Sequence, residues 1–131
     1  MSDIDLDNPE TYSRLDRSDM FHRLNYLAEQ INRAWTISGE LSLPPDYRDV
    51  ENVVITGMGG SAIGGSLVEG YAEADCPVPV SVWRGYGLPQ FVGPRTLVIG
   101  VSYSGNTEET LSALKAARAA GARLIAIRTG G

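Results

Sequence analysis

The stretch Asn52-Val-Val-Ile-Thr-Gly-Met-Gly-Gly-Ser-Ala-Ile-Gly-Gly65 decides the fold. Asn52 to Thr56 is a short β-branched run and reads as a buried strand. It passes straight into glycines at 57, 59 and 60, and the pattern then predicts a helix from Ser61 to Ala72. A strand feeding a glycine loop and then a helix is suited to anion binding. Glycine lets backbone approach an oxyanion closely, and the first N–H groups of the helix point at it. Gly64, Gly65 and Gly70 fall inside the predicted helix, where each costs about 0.8–1 kcal/mol against alanine. Close packing of backbone on backbone, or on a ligand, is the expected offset.

Outward from this stretch the chain alternates. Pro79 to Trp83 reads as the second strand, Arg84 to Gly93 as a Gly/Pro loop and Thr96 to Val101 as the third strand. Ser102 to Asn106 is a polar turn. Thr107 to Ala120 is an Ala-rich helix with Leu111 and Leu114 on one face and Gly121 as its stop, and Arg123 to Ile127 is the fourth strand. Strands alternating with helices imply βαβ units. The expected fold is therefore α/β, a doubly wound parallel sheet in the flavodoxin-like order 2-1-3-4, ending before a fifth strand and a second domain. Ligands in such sheets bind where the winding reverses, here between the first and third strands. The two unusual loops leave those two strands. Upstream, Met20, Leu24, Leu27, Ile31 and Trp35 recur at helical spacing and predict one apolar stripe, with Ser18 or Asp19 as the helix cap. Residues 1–17, with Asp3, Asp5, Asp7 and Glu10, read as an acidic arm ahead of a domain spanning 18–131.

Composition narrows the function classes. The chain has 131 residues, 43% of them hydrophobic and 21% charged, with a net charge of −5. That is one globular domain large enough to bury about two-thirds of its unfolded surface. No apolar run reaches bilayer length, and the acidic start MSDIDLDNPE lacks the apolar core of a signal peptide. No membrane partner is expected, and the cytoplasm is the expected location. The single cysteine, Cys76, excludes an internal disulfide or a Cys-rich zinc site, and no metal or cofactor is called for. The acidic balance argues against nucleic acid, which is held mainly by Lys and Arg.

Three readings of the first loop compete. It is a tight turn with no ligand, a dinucleotide site, or a monophosphate site with Ser61 adding a hydroxyl. Gly57-x-Gly59-x-x-Ala62 fits the dinucleotide pattern, but the acidic residue expected after the second strand is missing and Arg84 stands there. The second loop, Ser102-Tyr-Ser-Gly-Asn-Thr-Glu-Glu109, favours the monophosphate. It supplies the hydroxyls of Ser102, Ser104 and Thr107, with Gly105 for a sharp turn, at the mouth of a helix. Hydrogen bonds to a charged group contribute about 1.5–3 kcal/mol each, so such a cluster holds a phosphate without a cation. A capping box, with Asn106 or Thr107 at the cap and Glu109 reaching back, can coexist with binding. Glu108 and Glu109 should point away from a bound phosphate.

Taken together, Ile55-Thr-Gly-Met-Gly-Gly-Ser-Ala-Ile-Gly-Gly65 and Val101-Ser-Tyr-Ser-Gly-Asn-Thr-Glu-Glu-Thr-Leu111 resemble the sugar isomerase (SIS) domain. More narrowly, they resemble the bifunctional phosphoglucose/phosphomannose isomerase family, and Arg84-Gly-Tyr-Gly-Leu-Pro89 is also similar to it. The resemblance runs from about Met20 to Thr129-Gly-Gly131. It implies an aldose–ketose isomerase that interconverts glucose 6-phosphate or mannose 6-phosphate with fructose 6-phosphate without a metal. By match of motif, Gly60, Ser61, Ser102, Ser104 and Thr107 would touch the substrate phosphate, with Gly59 and Arg84 at the rim. Proteins of that family are longer and carry SIS domains in tandem. Their catalytic arginine, glutamate, histidine and lysine lie beyond the point where this chain stops. The expectation is thus a phosphate-binding half with no catalytic residue of its own, and a C-terminal SIS domain as its missing partner.

The remaining groups are expected to be structural. His22 reads as a surface histidine; its alternative is donation into a second subunit's site. Cys76 reads as a small buried apolar group, and Trp35 and Trp83 as packing residues. The fourth strand is expected to present an open edge, which favours self-association as a homo-oligomer. Two other functions stay open: a non-catalytic module that senses a sugar phosphate, and an NADP-binding fragment.

Overall fold

The computed structural model describes residues 4–5 and 7–129. Asp3 of the acidic arm and the closing Gly130-Gly131 lie outside the described residues. The chain divides into two compact units, Met1–Ser42 and Leu43–Gly131.

The first unit is helical. The expected acidic arm carries a helix, α1 (Pro9–Leu15), which starts because Pro9 presets the first turn and Asn8 Oδ1 accepts the Glu10 amide at 2.9 Å. The single helix expected from Met20 to Trp35 is instead α2 (Met20–Asn25) and α3 (Leu27–Gly39), parted at Tyr26. Neither Ser18 nor Asp19 caps α2. Asp19 takes a left-handed conformation at φ 54° and makes no capping bond, whereas Asp16 Oδ2 accepts the Phe21 amide at 2.7 Å. Tyr12 and Phe21 stack with ring centroids 5.5 Å apart. The apolar stripe exists, but Met20, Leu24, Leu27 and Ile31 are exposed and Trp35 is 79% exposed, so Trp35 is not the packing residue expected. The reason is that α2 and α3 bury no residue.

The second unit is the predicted sheet. A 3-10 turn (Pro45–Arg48) precedes β1 (Asn52–Thr56), α4 (Gly59–Ala72), β2 (Val80–Trp83), β3 (Thr96–Ser102), α5 (Glu108–Ala119) and β4 (Arg123–Arg128). All pairs are parallel and the order is β2-β1-β3-β4. Val54 and Val98, fully buried on the neighbouring central strands and paired in register, pack with Ala117 of α5 and are ringed by Trp83, Leu88, Val92, Leu114 and Leu124. Trp83 is therefore a packing residue, as expected. Ala113 and Ala117 are fully buried, and such small side chains let α5 come close to the sheet.

Of the helical glycines, only Gly65 is explained by close approach. A Cβ there would stand 2.9 Å from Ile55 Cγ2 and 3.3 Å from Val82 Cγ2, while positions 64 and 70 face open space. The general expectation of close packing thus holds at one of three. Cys76 is exposed, not buried, because it lies in the turn between α4 and β2. Tyr47 anchors the start of the unit: its hydroxyl donates to Leu124 O at 3.0 Å. No helix among the described residues is long and apolar enough to cross a membrane.

Candidate functional site

Two loops leave the carboxyl ends of β1 and β3, the central strands. The first is short because Gly57 permits it. Its amide continues the ladder to Trp83 O at 3.4 Å, and a Cβ there would meet Val101 O at 3.0 Å. The chain thus hugs β3 before Met58, extended at φ −125°, turns it into α4. The amides of Ser61 and Ala62 reach back to Met58 O at 3.1 and 3.4 Å. Among the described residues the amides of Gly59 and Gly60 meet no acceptor and Met58 supplies no side-chain cap. Every helix start carries such orphan donors.

The second loop closes on a buried hydroxyl. Ser102, the last residue of β3, is 6% exposed. Its Oγ accepts the Gly105 amide at 3.1 Å and lies 2.9 Å from Thr107 Oγ1. Gly105 takes φ 76°, a conformation that costs side-chain-bearing residues but not glycine. Ser104 Oγ accepts the Asn106 amide at 3.2 Å. Thr107 is the N-cap of α5 but its hydroxyl makes no capping bond; it is turned to Ser102 instead, so the expected capping box does not form. The loop's outer edge is also tied down. Thr129, just after β4, gives its amide (3.3 Å) and its hydroxyl (2.6 Å) to Tyr103 O.

Between the loops lies an open cleft of about 560 Å³, lined by Met58, Gly60, Ser61, Tyr103, Ser104 and Thr107. Of the residues expected at a phosphate site, Gly60, Ser61, Ser104 and Thr107 are brought together here. Ser102 is not in the lining; it is bonded to Thr107 and lines a separate hollow with Gly105, Thr110 and Leu111. Gly59 is adjacent in the chain and also outside the lining. Arg84 is drawn to the side of α4, donating to Ser66 Oγ at 2.6 Å and reaching Ala62 O at 3.5 Å. Met58 and Tyr103 were not picked out from the sequence. Each sits between small residues of its loop, in Gly57-Met-Gly59 and Ser102-Tyr-Ser104, where a lone large side chain has little but solvent or a ligand to meet.

The cleft's lining holds no cation and no carboxylate. Its donors are amides and hydroxyls, and they open at the starts of two helices, where the macrodipoles favour an anion. Glu108 and Glu109, in the first turn of α5, stay out of the lining. Tyr86, in the turn after β2, donates to Glu108 Oε2 at 3.3 Å. The charge of Glu109, then partial desolvation, then that hydrogen bond push the Tyr86 hydroxyl above its ordinary value of 10.0. His22 belongs to the helical unit, where it stacks on Tyr26 with centroids 6.0 Å apart.

Comparison with known proteins agrees with the loops. The chain is 52% identical over 112 residues to a bifunctional phosphoglucose/phosphomannose isomerase of Caldicellulosiruptor bescii, covering 86% of this chain and 33% of that protein. It is 50% identical over 80 residues to the protein of the same name from Thermoplasma acidophilum, covering 61% and 25%. Among solved structures, a candidate phosphosugar isomerase from Clostridium difficile 630 superposes with a TM-score of 0.57 at 26% identity, covering 64% of this chain and 25% of that one. No family model matches the chain. The chain spans a third or less of the length of these relatives. The resemblance to this isomerase family and the SIS-type parallel sheet therefore stand.

Proposed function

We propose that this chain is the sugar-phosphate-binding SIS domain of an aldose–ketose isomerase acting on glucose 6-phosphate or mannose 6-phosphate and fructose 6-phosphate. One observation carries the proposal: two loops far apart in sequence meet to line a single cleft of neutral donors at the point where the sheet's winding reverses. In this arrangement Gly60, Ser61, Ser104 and Thr107 hold the phosphate, with Gly59 at the rim. Ser102 acts through Thr107. It accepts from the Gly105 amide, and where it donates to Thr107 Oγ1 the threonine's own proton is free for the ligand. Arg84, held by Ser66, braces α4 rather than touching ligand. The setting is cytoplasmic, and the chemistry is completed by a further SIS domain or by a second copy of the chain.

Isomerisation moves a proton between neighbouring carbons and needs a tuned base within reach of it. The cleft's lining offers no carboxylate, imidazole or amine to act as that base. That favours, as a second reading for this chain by itself, binding without turnover. The test is calorimetric titration with fructose 6-phosphate followed by a coupled assay for glucose 6-phosphate. Saturable binding without turnover is expected of the chain alone, with turnover when a C-terminal SIS half is added. No binding would overturn the phosphate assignment, and turnover abolished by His22→Ala would overturn the absence of a base.

A further inference from the structure

The turn that follows β2 is laid along α5. Gly87 N donates to Ser112 Oγ at 3.1 Å, and Tyr86 Oη donates to Glu108 Oε2 at 3.3 Å. Positions 108 and 112 are one helical turn apart and share a face, so the turn grips that face at two points. Glu108 directly follows Thr107, which lines the cleft. The same helix start that attracts an external anion also attracts its own first-turn carboxylates. An untethered Glu108 would compete with the ligand in two ways. It could swing over the free donors at the start of α5, and its charge would repel a phosphate held there.

We infer that Tyr86 is a positioning residue for the anion site, its hydroxyl holding the Glu108 carboxylate on the Ser112 face of α5 and out of the cleft. The inference rests on the phosphate assignment made above. The tether suits the task. The charged groups facing Tyr86 are Glu108 and Glu109, and both keep the phenol protonated, so it remains a donor across the neutral range. Tyr86 is 61% exposed, so replacing it leaves the core untouched.

The experiment is a double-mutant cycle on the 131-residue chain with inorganic phosphate and fructose 6-phosphate as probes, read by calorimetry. Tyr86→Phe is expected to weaken both ligands about three- to tenfold, the loss of one hydrogen bond and the return of one charge. Glu108→Gln in the parent is expected to change affinity less than about twofold, because the carboxylate is already held aside. In the Tyr86→Phe background the same change is expected to restore parental affinity. Parental affinity in Tyr86→Phe overturns the inference. So does a loss that Glu108→Gln fails to restore, or an equal gain from Glu108→Gln in both backgrounds. Failure of the parent to bind either probe sinks the phosphate assignment and this inference with it; binding by the parent with an unaffected Tyr86→Phe sinks the inference alone.

Discussion

Ser102 Oγ and Thr107 Oγ1 stand 2.9 Å apart, joining the last residue of β3 to the residue that opens α5. The contact spans the whole serine-rich loop, and the Gly105 amide closes on the same Ser102 oxygen. The Ser104–Asn106 and Thr129–Tyr103 bonds hold the rest of the loop. Ser102→Ala removes both side-chain bonds, leaving the Gly105 amide only its 3.2 Å bond to the Ser102 carbonyl and the half-buried Thr107 hydroxyl without its partner. It is expected to cost about 1–3 kcal/mol in urea unfolding and to weaken phosphate binding although Ser102 does not line the cleft. Unchanged stability and unchanged affinity together would remove Ser102 from the site's support.

Ser104 and Thr107 face the cleft directly. Ser104→Ala and Thr107→Val are each expected to weaken fructose 6-phosphate binding about tenfold, the effect of one charge-assisted hydrogen bond of about 1.5 kcal/mol. Calorimetry with unchanged affinity in both variants would dismiss the cradle.

Gly64 and Gly65 are neighbours with opposite surroundings. Gly65→Ala drives a methyl against Ile55 and Val82 and is expected to destabilise by about 1–3 kcal/mol. Gly64→Ala meets nothing and is expected to stabilise by as much as about 1 kcal/mol through helix propensity. Thermal melts of the two variants that shift in the same direction would contradict this placement of α4.

Asp16 offers a pH test in the helical unit. Hydrogen bonds from the Phe21 and Met20 amides, Phe21 first, hold its carboxyl below the ordinary 3.8. A depressed folded value means the stabilisation is complete above the unfolded value and is lost as pH falls below about 3.8 toward the folded one. Amide exchange at Phe21 is expected to accelerate in that window, and Asp16→Asn to blunt the pH dependence. A flat exchange profile through the window would count against the cap.

The dinucleotide alternative has its own check. Arg84 is bonded to Ser66 and no carboxylate replaces it at the end of β2, so NADPH titration is expected to give no saturable binding. Saturable binding lost in Arg84→Ala would reopen it.

The sheet was readable because each signal was local. β-branched runs marked β1 and β3, an Ala-rich stretch marked α5 with Gly121 as its stop at φ 73°, and alternation implied parallel order. The two cleft loops were readable for the same reason, since glycine and hydroxyl clusters are unusual by composition alone. What failed depended on distant partners. Nothing in the spacing of Met20 to Trp35 announced that Tyr26 would part the helix or that the stripe would stay exposed. Ser102 looked like its neighbour Ser104, and only the third dimension turns one hydroxyl inward and the other out. Tyr86 lay in Arg84-Gly-Tyr-Gly-Leu-Pro89, a stretch marked by family likeness with no role attached to the tyrosine; its contact comes from a turn laid against a helix that follows it in the chain by some twenty residues.

A grip made of uncharged donors has a physiological corollary. It displaces no condensed counter-ions when it closes, so its strength should scarcely respond to the potassium level around it, and shielding of the −5 protein would if anything ease a dianion's approach as salt rises. The proposed holder would select by where its donors stand and by the pull of two helix starts rather than by net charge, which would suit a metabolite handed on in both directions.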